Sequence, residues 1–246
     1  MLLACDIGNT NSKFALYNGS GRVSFFVLNN LELVRLPEKI KEKIDECAVS
    51  SVAPNISFEM DRIINSSFDL RPYFITAYSH LPFKLNYNPP DSLGTDRICA
   101  AAGALALVKD NTSPYILAID CGTATTANVV NSNKEFIGGL IMPGLFTMSD
   151  SLKKKTAQLP EVALENYNAL IGSSTISCIQ SGILNAAAGM IERTLNHLQN
   201  ELKAELVKLY ITGGAAKYII PLINPDFNYV EDLVLSGIKS IYEYNK

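Results

Sequence analysis

Apolar and polar positions alternate along this chain in short blocks. Residues 2–5 are apolar, 6–13 are mostly polar or small, and 14–17 are apolar again. That pattern predicts a strand, a tight turn and a second strand. The same layout returns at 116–130, where Asp6 and Gly8 recur 114 positions later as Asp120 and Gly122. Repetition at nearly half the chain length predicts an α/β protein of two related lobes, 1–112 and 113–246, each giving one acidic turn to a shared cleft.

The remaining pattern fills in the lobes. The hairpin turn at Asn18-Gly19-Ser20-Gly21 leads to a strand-like run at 23–28. Leu36, Ile40 and Ile44 recur at helical spacing and predict a surface helix over 37–46. A strand at 48–53, a helix at 57–65 and a strand at 72–75 are expected next, an alternation that marks an α/β lobe. Residues 81–92 hold three prolines and read as an irregular loop, followed by an alanine-rich helix. A linker is expected at 111–114. Beyond it lie the second acidic turn, the glycine-rich Gly138-Gly139 and Pro143-Gly144, and a helix over 145–156. A loop through 160–172 precedes the longest helical pattern, 173–202, with Gly182 and Gly189 inside it. A strand at 207–212 ends in Gly213-Gly214, which suits either a flat ligand lying on backbone or a tight packing joint. A helix over 233–244 closes the chain.

The first turn carries chemistry. Gly8 lets the backbone approach a ligand, Asn9, Thr10, Asn11 and Ser12 offer hydrogen-bond donors, and Lys13 adds a positive charge. Such a turn suits phosphate oxygens, with Asp6 placed for a metal ion, although Asp-x-Gly-Asn also closes ordinary hairpins. Asp96 falls at a helix start, where a carboxylate serves equally as a cap or as a reactive group. Arg97 in the same turn opposes the helix dipole and is a candidate for binding an anion. Ser173, Ser174 and Thr175 read first as a helix cap.

Composition narrows the classes. The chain has 246 residues, 48% of them hydrophobic and 18% charged, with a net charge of −3. This is ordinary globular composition without the basic footprint of a nucleic-acid binder. Five scattered cysteines without a Cys-x-x-Cys pair point to free thiols and a cytoplasmic setting. Two histidines argue against a zinc site or a histidine-based hydrolytic triad. No leader peptide or membrane span is expected from the four-residue apolar start and the short apolar runs. A P-loop sequence and the protein-kinase signature set are both missing.

Taken in order, Asp6-Ile7-Gly8-Asn9-Thr10-Asn11, Gly94-Thr95-Asp96-Arg97, Asp120-Cys121-Gly122-Thr123-Ala124-Thr125-Thr126, Gly138-Gly139 with Pro143-Gly144, and Gly213-Gly214 resemble the motifs of type III pantothenate kinases. The resemblance implies two ribonuclease-H-like lobes of the actin-like ATPase superfamily with ATP between them, and a homodimer. It implies transfer of phosphate from ATP to the pantothenate hydroxyl, the first step toward coenzyme A. By position, Asp6, Ile7, Gly8, Asn9, Thr10, Asn11, Ser12 and Lys13 match the phosphate loop, and Thr123 a further ATP contact. Asp96 matches the general base. Tyr87, Gly94, Thr95, Asp96, Arg97 and Thr175 match pantothenate contacts. Asp120 matches the ligand of a monovalent cation, potassium or ammonium, and Asp6 a partner of magnesium, direct or through water. Two other readings stay open: a regulator, since the family includes proteins named as transcriptional accessory factors, and a kinase or phosphatase for another small molecule.

Overall fold

The structure, a computed structural model, describes residues 1–19, 21–109, 112–165 and 169–246. Ser20 of the expected hairpin turn, Asn111 of the expected linker and 166–168 of the expected loop lie outside them. The chain divides into two compact units. The first is Met1–Asn111, Lys134–Ile137 and Asp232–Lys246; the second is Thr112–Asn133 and Gly138–Glu231.

In the first unit, β1 (Leu2–Ile7), β2 (Asn11–Asn18) and β3 (Gly21–Asn29) form an antiparallel meander. A 3-10 turn over Asn30–Arg35 and a four-residue helix α1 (Leu36–Lys39) lead to β4 (Glu46–Ser51), α2 (Pro54–Phe68) and β5 (Tyr73–Phe74). The sheet order is β3-β2-β1-β4-β5, with β4 parallel to β1. The helix expected over 37–46 is cut to α1. Ile40 and Ile44 are still buried, but as part of an extended link that drops their side chains into the core. β1 is covered on both faces. Leu3, Cys5 and Ile7 pack with Met60 and Ile64 of α2, which accounts for its unbroken apolar run.

After β6 (Lys84–Leu85) comes α3 (Thr95–Ala106). Its small residues admit close contact with α7 (Leu233–Tyr244), at the far end of the chain. Gly103 and Gly237 meet at that crossing, where a Cβ on either would strike backbone of the other helix. The last helix therefore belongs to the first unit, not to the 113–246 lobe expected from the repeat. Its buried face, Leu233, Val234, Leu235, Ile238 and Ile241, is satisfied by α3 and β1. Asp232 fastens its start, accepting a hydrogen bond from the Tyr17 hydroxyl at 3.0 Å and pairing with Arg22 at 3.3 Å.

The second unit holds β7 (Tyr115–Cys121), β8 (Ala124–Val130), most of β9 (Glu135–Pro143), α4 (Leu145–Lys155), α5 (Thr175–Asn196), β10 (Val207–Thr212), α6 (Ala216–Ile219) and β11 (Asn228–Tyr229). Its strands run β11-β10-β7-β8-β9, and β6 pairs with the first residues of β9, Lys84 with Glu135 and Leu85 with Phe136. The long helix expected over 173–202 ends at Asn196 and closes in a π-helical turn, His197–Glu201. Among the described residues no helix is long and apolar enough to cross a membrane.

Candidate functional site

The first acidic turn joins β1 to β2. Asp6 is the one charged residue of β1 and stands opposite Lys13 in the antiparallel register, with Ile7 opposite Ser12. The Gly8 amide donates to the Asn11 carbonyl at 3.2 Å, and a Cβ at Gly8 would lie 2.9 Å from that oxygen, so only glycine closes the turn this tightly. Asn9, Thr10 and Asn11 are exposed and available to a ligand. Ile7 and Ser12 are fully buried. The Ile7 side chain is core, and the Ser12 hydroxyl donates to Asn30 Oδ1 at 2.7 Å. Asn30 itself was not legible as a site residue. It is 7% exposed, its Nδ2 donates to the Gly8 carbonyl at 2.8 Å, and its amide donates to the Thr10 carbonyl at 3.0 Å. No spacing marks it, since it lies 18 residues beyond Ser12 at the end of β3.

The start of α3 lies in the same unit. The Thr95 hydroxyl accepts from the Ser50 hydroxyl (3.0 Å) and the Ser51 amide (3.1 Å), and donates to the Ser51 carbonyl (3.1 Å). Thr95 thus anchors α3 to the end of β4, the strand beside β1. Asp96 follows, half-buried, its carboxylate accepting the Arg97 amide at 2.8 Å. A Cβ at Gly94 would sit 2.5 Å from Asp96 Oδ1. One turn on, the Cys99 thiol is buried. Burial pushes its pKa well above the ordinary value and the negative charge of Asp6 adds to this; a hydrogen bond with Ser50 opposes the rise, and Asp96 raises it further. Asp6 stands opposite Ser50 in the β1–β4 register and Ser50 bonds Thr95, so two acidic residues 90 positions apart in sequence, 6 and 96, flank the end of β4.

Arg97 is only 5% exposed. Its guanidinium lies 5.8 Å from the ring centres of both Tyr87 and Phe136, which meet edge-on at 6.0 Å. Aromatic faces stabilise a cation held this way and fix its direction. Phe136 is a second residue the sequence did not mark; it arrives through the β6–β9 pairing.

Because the Gly94 position borders the Asp96 carboxylate, Gly94→Ala is expected to swing that carboxylate aside while leaving α3 in place. If Asp96 is the base that the resemblance implies, turnover should fall about 10–100-fold with ATP affinity unchanged. Steady-state kinetics beside calorimetric ATP binding check it; an unaltered kcat refutes the packing argument.

In the second unit Asp120 is the penultimate residue of β7, opposite Thr126, and the Gly122 amide donates to the Ala124 carbonyl at 3.1 Å. Gly213, at φ +95°, brings the end of β10 against this turn, where a Cβ would lie 2.6 Å from Asp120 Oδ1 and from Cys121 backbone. Thr123 is exposed. Its carbonyl accepts from the Gly144 amide (2.9 Å) and the Thr147 hydroxyl (2.7 Å). Next to Asp120, burial and the aspartate's charge push the Cys121 thiol up to about 12. Thr175 is exposed at the start of α5, beside the reciprocal Ser174–Ser177 cap, so the cap falls on its neighbours. It lines a groove of about 740 Å³ between α4 and α5, walled by Met148, Leu152, Ile179 and Ile183. Of the predicted residues, then, Asp6 faces Ser50, which bonds Thr95 beside Asp96, and Tyr87 and Arg97 form one cluster. Asp120 and Thr123 share the second turn, and Thr175 lines the groove between α4 and α5. Among the described residues no three His, Cys, Asp or Glu side chains are grouped to hold a metal ion.

The sequence model of the family described as Type III pantothenate kinase matches residues 2–197. A Type III pantothenate kinase of Persephonella marina is 33% identical over 259 aligned positions, covering 100% of this chain and 99% of its own. Another, of Chlorobaculum parvum, is 34% identical, covering 99% and 94%. Among solved structures, a Campylobacter jejuni protein described as a Baf family transcriptional activator superposes with a TM-score of 0.67 at 21% identity, covering 99% of this chain and 98% of that one. That likeness shows the fold, an α/β architecture built on two mixed sheets. With the family model spanning most of its length and relatives matching from end to end, the chain belongs to the type III pantothenate kinase family.

Proposed function

We propose that this protein transfers the γ-phosphoryl group of ATP to the hydroxyl of pantothenate, the first step toward coenzyme A, with Asp96 as the general base. The observation that carries the reading is that Asp6 stands opposite Ser50 in the β1–β4 register, while the Ser50 hydroxyl donates to Thr95, the residue before Asp96. The exposed turn at Asn9, Thr10 and Asn11, with Gly8 and Lys13, binds the phosphates, and Thr123 is a further ATP contact. Ile7 and Ser12 contribute backbone and support. Phosphoryl transfer needs positioning and charge neutralisation more than covalent chemistry. A carboxylate ionised at neutral pH accepts the hydroxyl proton as the bond to phosphorus forms. Arg97, steered by Tyr87 and Phe136, pairs with the carboxylate of pantothenate. Tyr87, Gly94 and Thr95 shape that end of the site, and Thr175 is a further contact.

The donor set fits hard cations. Asp6 would hold magnesium together with nucleotide phosphates and water, which is how this ion is usually bound when a protein supplies only one or two carboxylates. Asp120 would hold potassium or ammonium. When bound, these ions neutralise charge on the phosphates. A homodimer would cover the apolar groove between α4 and α5, and five unpaired cysteines suit a cytoplasmic setting.

A coupled ADP-release assay tests the reading. ADP is expected with pantothenate in potassium or ammonium buffer and far less in sodium alone. Turnover with a sugar in place of pantothenate would overturn the choice of acceptor, and no turnover with either would overturn the catalytic reading.

A further inference from the structure

We infer that Asn30 is a positioning residue for the phosphate-binding turn, holding Gly8, Thr10 and Ser12 in the shape that receives ATP. The inference rests on the proposed ATP site but not on the identity of the acceptor.

The turn between β1 and β2 has little of its own to hold it. Within the turn, one backbone hydrogen bond closes it, from Gly8 to Asn11, and Asn9, Thr10 and Asn11 are exposed. Asn30 supplies the rest from outside. Its Nδ2 donates to the Gly8 carbonyl, its Oδ1 accepts from Ser12 and its amide donates to the Thr10 carbonyl. These three bonds reach the first, third and fifth residues of 8–12, so they fix the backbone on both sides of the exposed tip. With two carbonyls engaged from behind, the turn is held in one arrangement before a ligand arrives, and preorganised donors bind without the entropy cost of ordering them. Asn30 is held in turn. Asn29 caps the following 3-10 turn by accepting the Leu31 amide at 3.0 Å, and its Nδ2 lies 3.5 Å from Asn11 Oδ1. The Asn29-Asn30 pair thus ties the end of β3 to the turn. Asn30 is buried and both its side-chain heteroatoms are engaged in these bonds, so it acts through the turn and not by touching nucleotide.

The test uses the full chain with Asn30→Ala, Ser12→Ala and the double variant, titrated with ATP and magnesium in a calorimeter, with pantothenate KM measured at saturating ATP. Losing the two side-chain bonds is expected to weaken ATP binding about tenfold in Asn30→Ala, and about threefold in Ser12→Ala, which loses one. The double variant should be no weaker than Asn30→Ala, because the two side chains act through one contact. Pantothenate KM should stay within twofold. ATP binding within twofold of wild type in Asn30→Ala, or parallel losses for ATP and pantothenate, would overturn the inference, the second because a general loss of structure moves both. Should Asn30→Ala not fold, Ser12→Ala alone decides by the same two measurements. A wild-type chain that binds ATP yet releases no ADP with pantothenate refutes the acceptor, and the ATP titrations still judge Asn30. A wild-type chain that does not bind ATP overturns both.

Discussion

Asp96→Asn is expected to lower kcat by about 10²–10⁴-fold while ATP affinity stays within about twofold. The asparagine keeps the shape and can still accept the Arg97 amide that Asp96 Oδ1 now accepts, so the start of α3 has no reason to move. Thr95 holds that start independently through Ser50 and Ser51. On the proposed mechanism, what is lost is the basic oxygen, and with it the destination of the hydroxyl proton. Kinetics with both substrates, beside calorimetry with ATP, decide the matter. A variant within tenfold of wild type takes the base role from Asp96. A variant that also loses ATP affinity assigns the carboxylate to nucleotide binding instead.

The second large effect concerns stability. Gly237→Ala is expected to destabilise the fold by about 2 kcal/mol or more, although alanine is the better helix former by about 1 kcal/mol. The reason is what the new methyl meets. At Gly237 a Cβ would run into the Cys99 carbonyl of α3, and the Gly103 amide lies 2.9 Å away. Both are backbone, so neither can rotate out of the way, and the whole helix must shift. Gly189 in α5 has open space where its Cβ would stand, and Gly189→Ala there should stabilise by about 0.5–1 kcal/mol. Urea denaturation of the two variants gives opposite signs if helix packing governs, and the same sign if propensity does. Since Cys99 follows Asp96 by one turn, Gly237→Ala should also cost turnover, whereas Gly189→Ala should not.

Local features of the site were legible because they are written in adjacent residues. The two Asp-x-Gly turns, the helix start at Gly94-Thr95-Asp96-Arg97 and the final helix over 233–244 each depend on a few neighbouring side chains and on apolar runs beside them. The pattern at 37–46 misled for an equally physical reason. Leu36, Ile40 and Ile44 are all buried, as the periodicity required, but burial fixes which side chains face inward and not the backbone path that takes them there. The domain boundary was only half visible for the same cause. The repeat marks where the second acidic turn begins, while nothing near residue 233 says that its helix will pack on α3.

By itself the sequence determined the motif residues, the alternation of strands and helices and the resemblance to one kinase family. Each of these is carried by short-range pattern. Only the tertiary structure decided that Asp6 faces Ser50 while Ser50 bonds Thr95 beside Asp96, that Phe136 joins Tyr87 around Arg97, and that Asn30 braces the first turn. These relations join residues far apart along the chain. They arise because strand register, helix crossing and core packing bring those residues together, and none of the three is encoded at a fixed spacing.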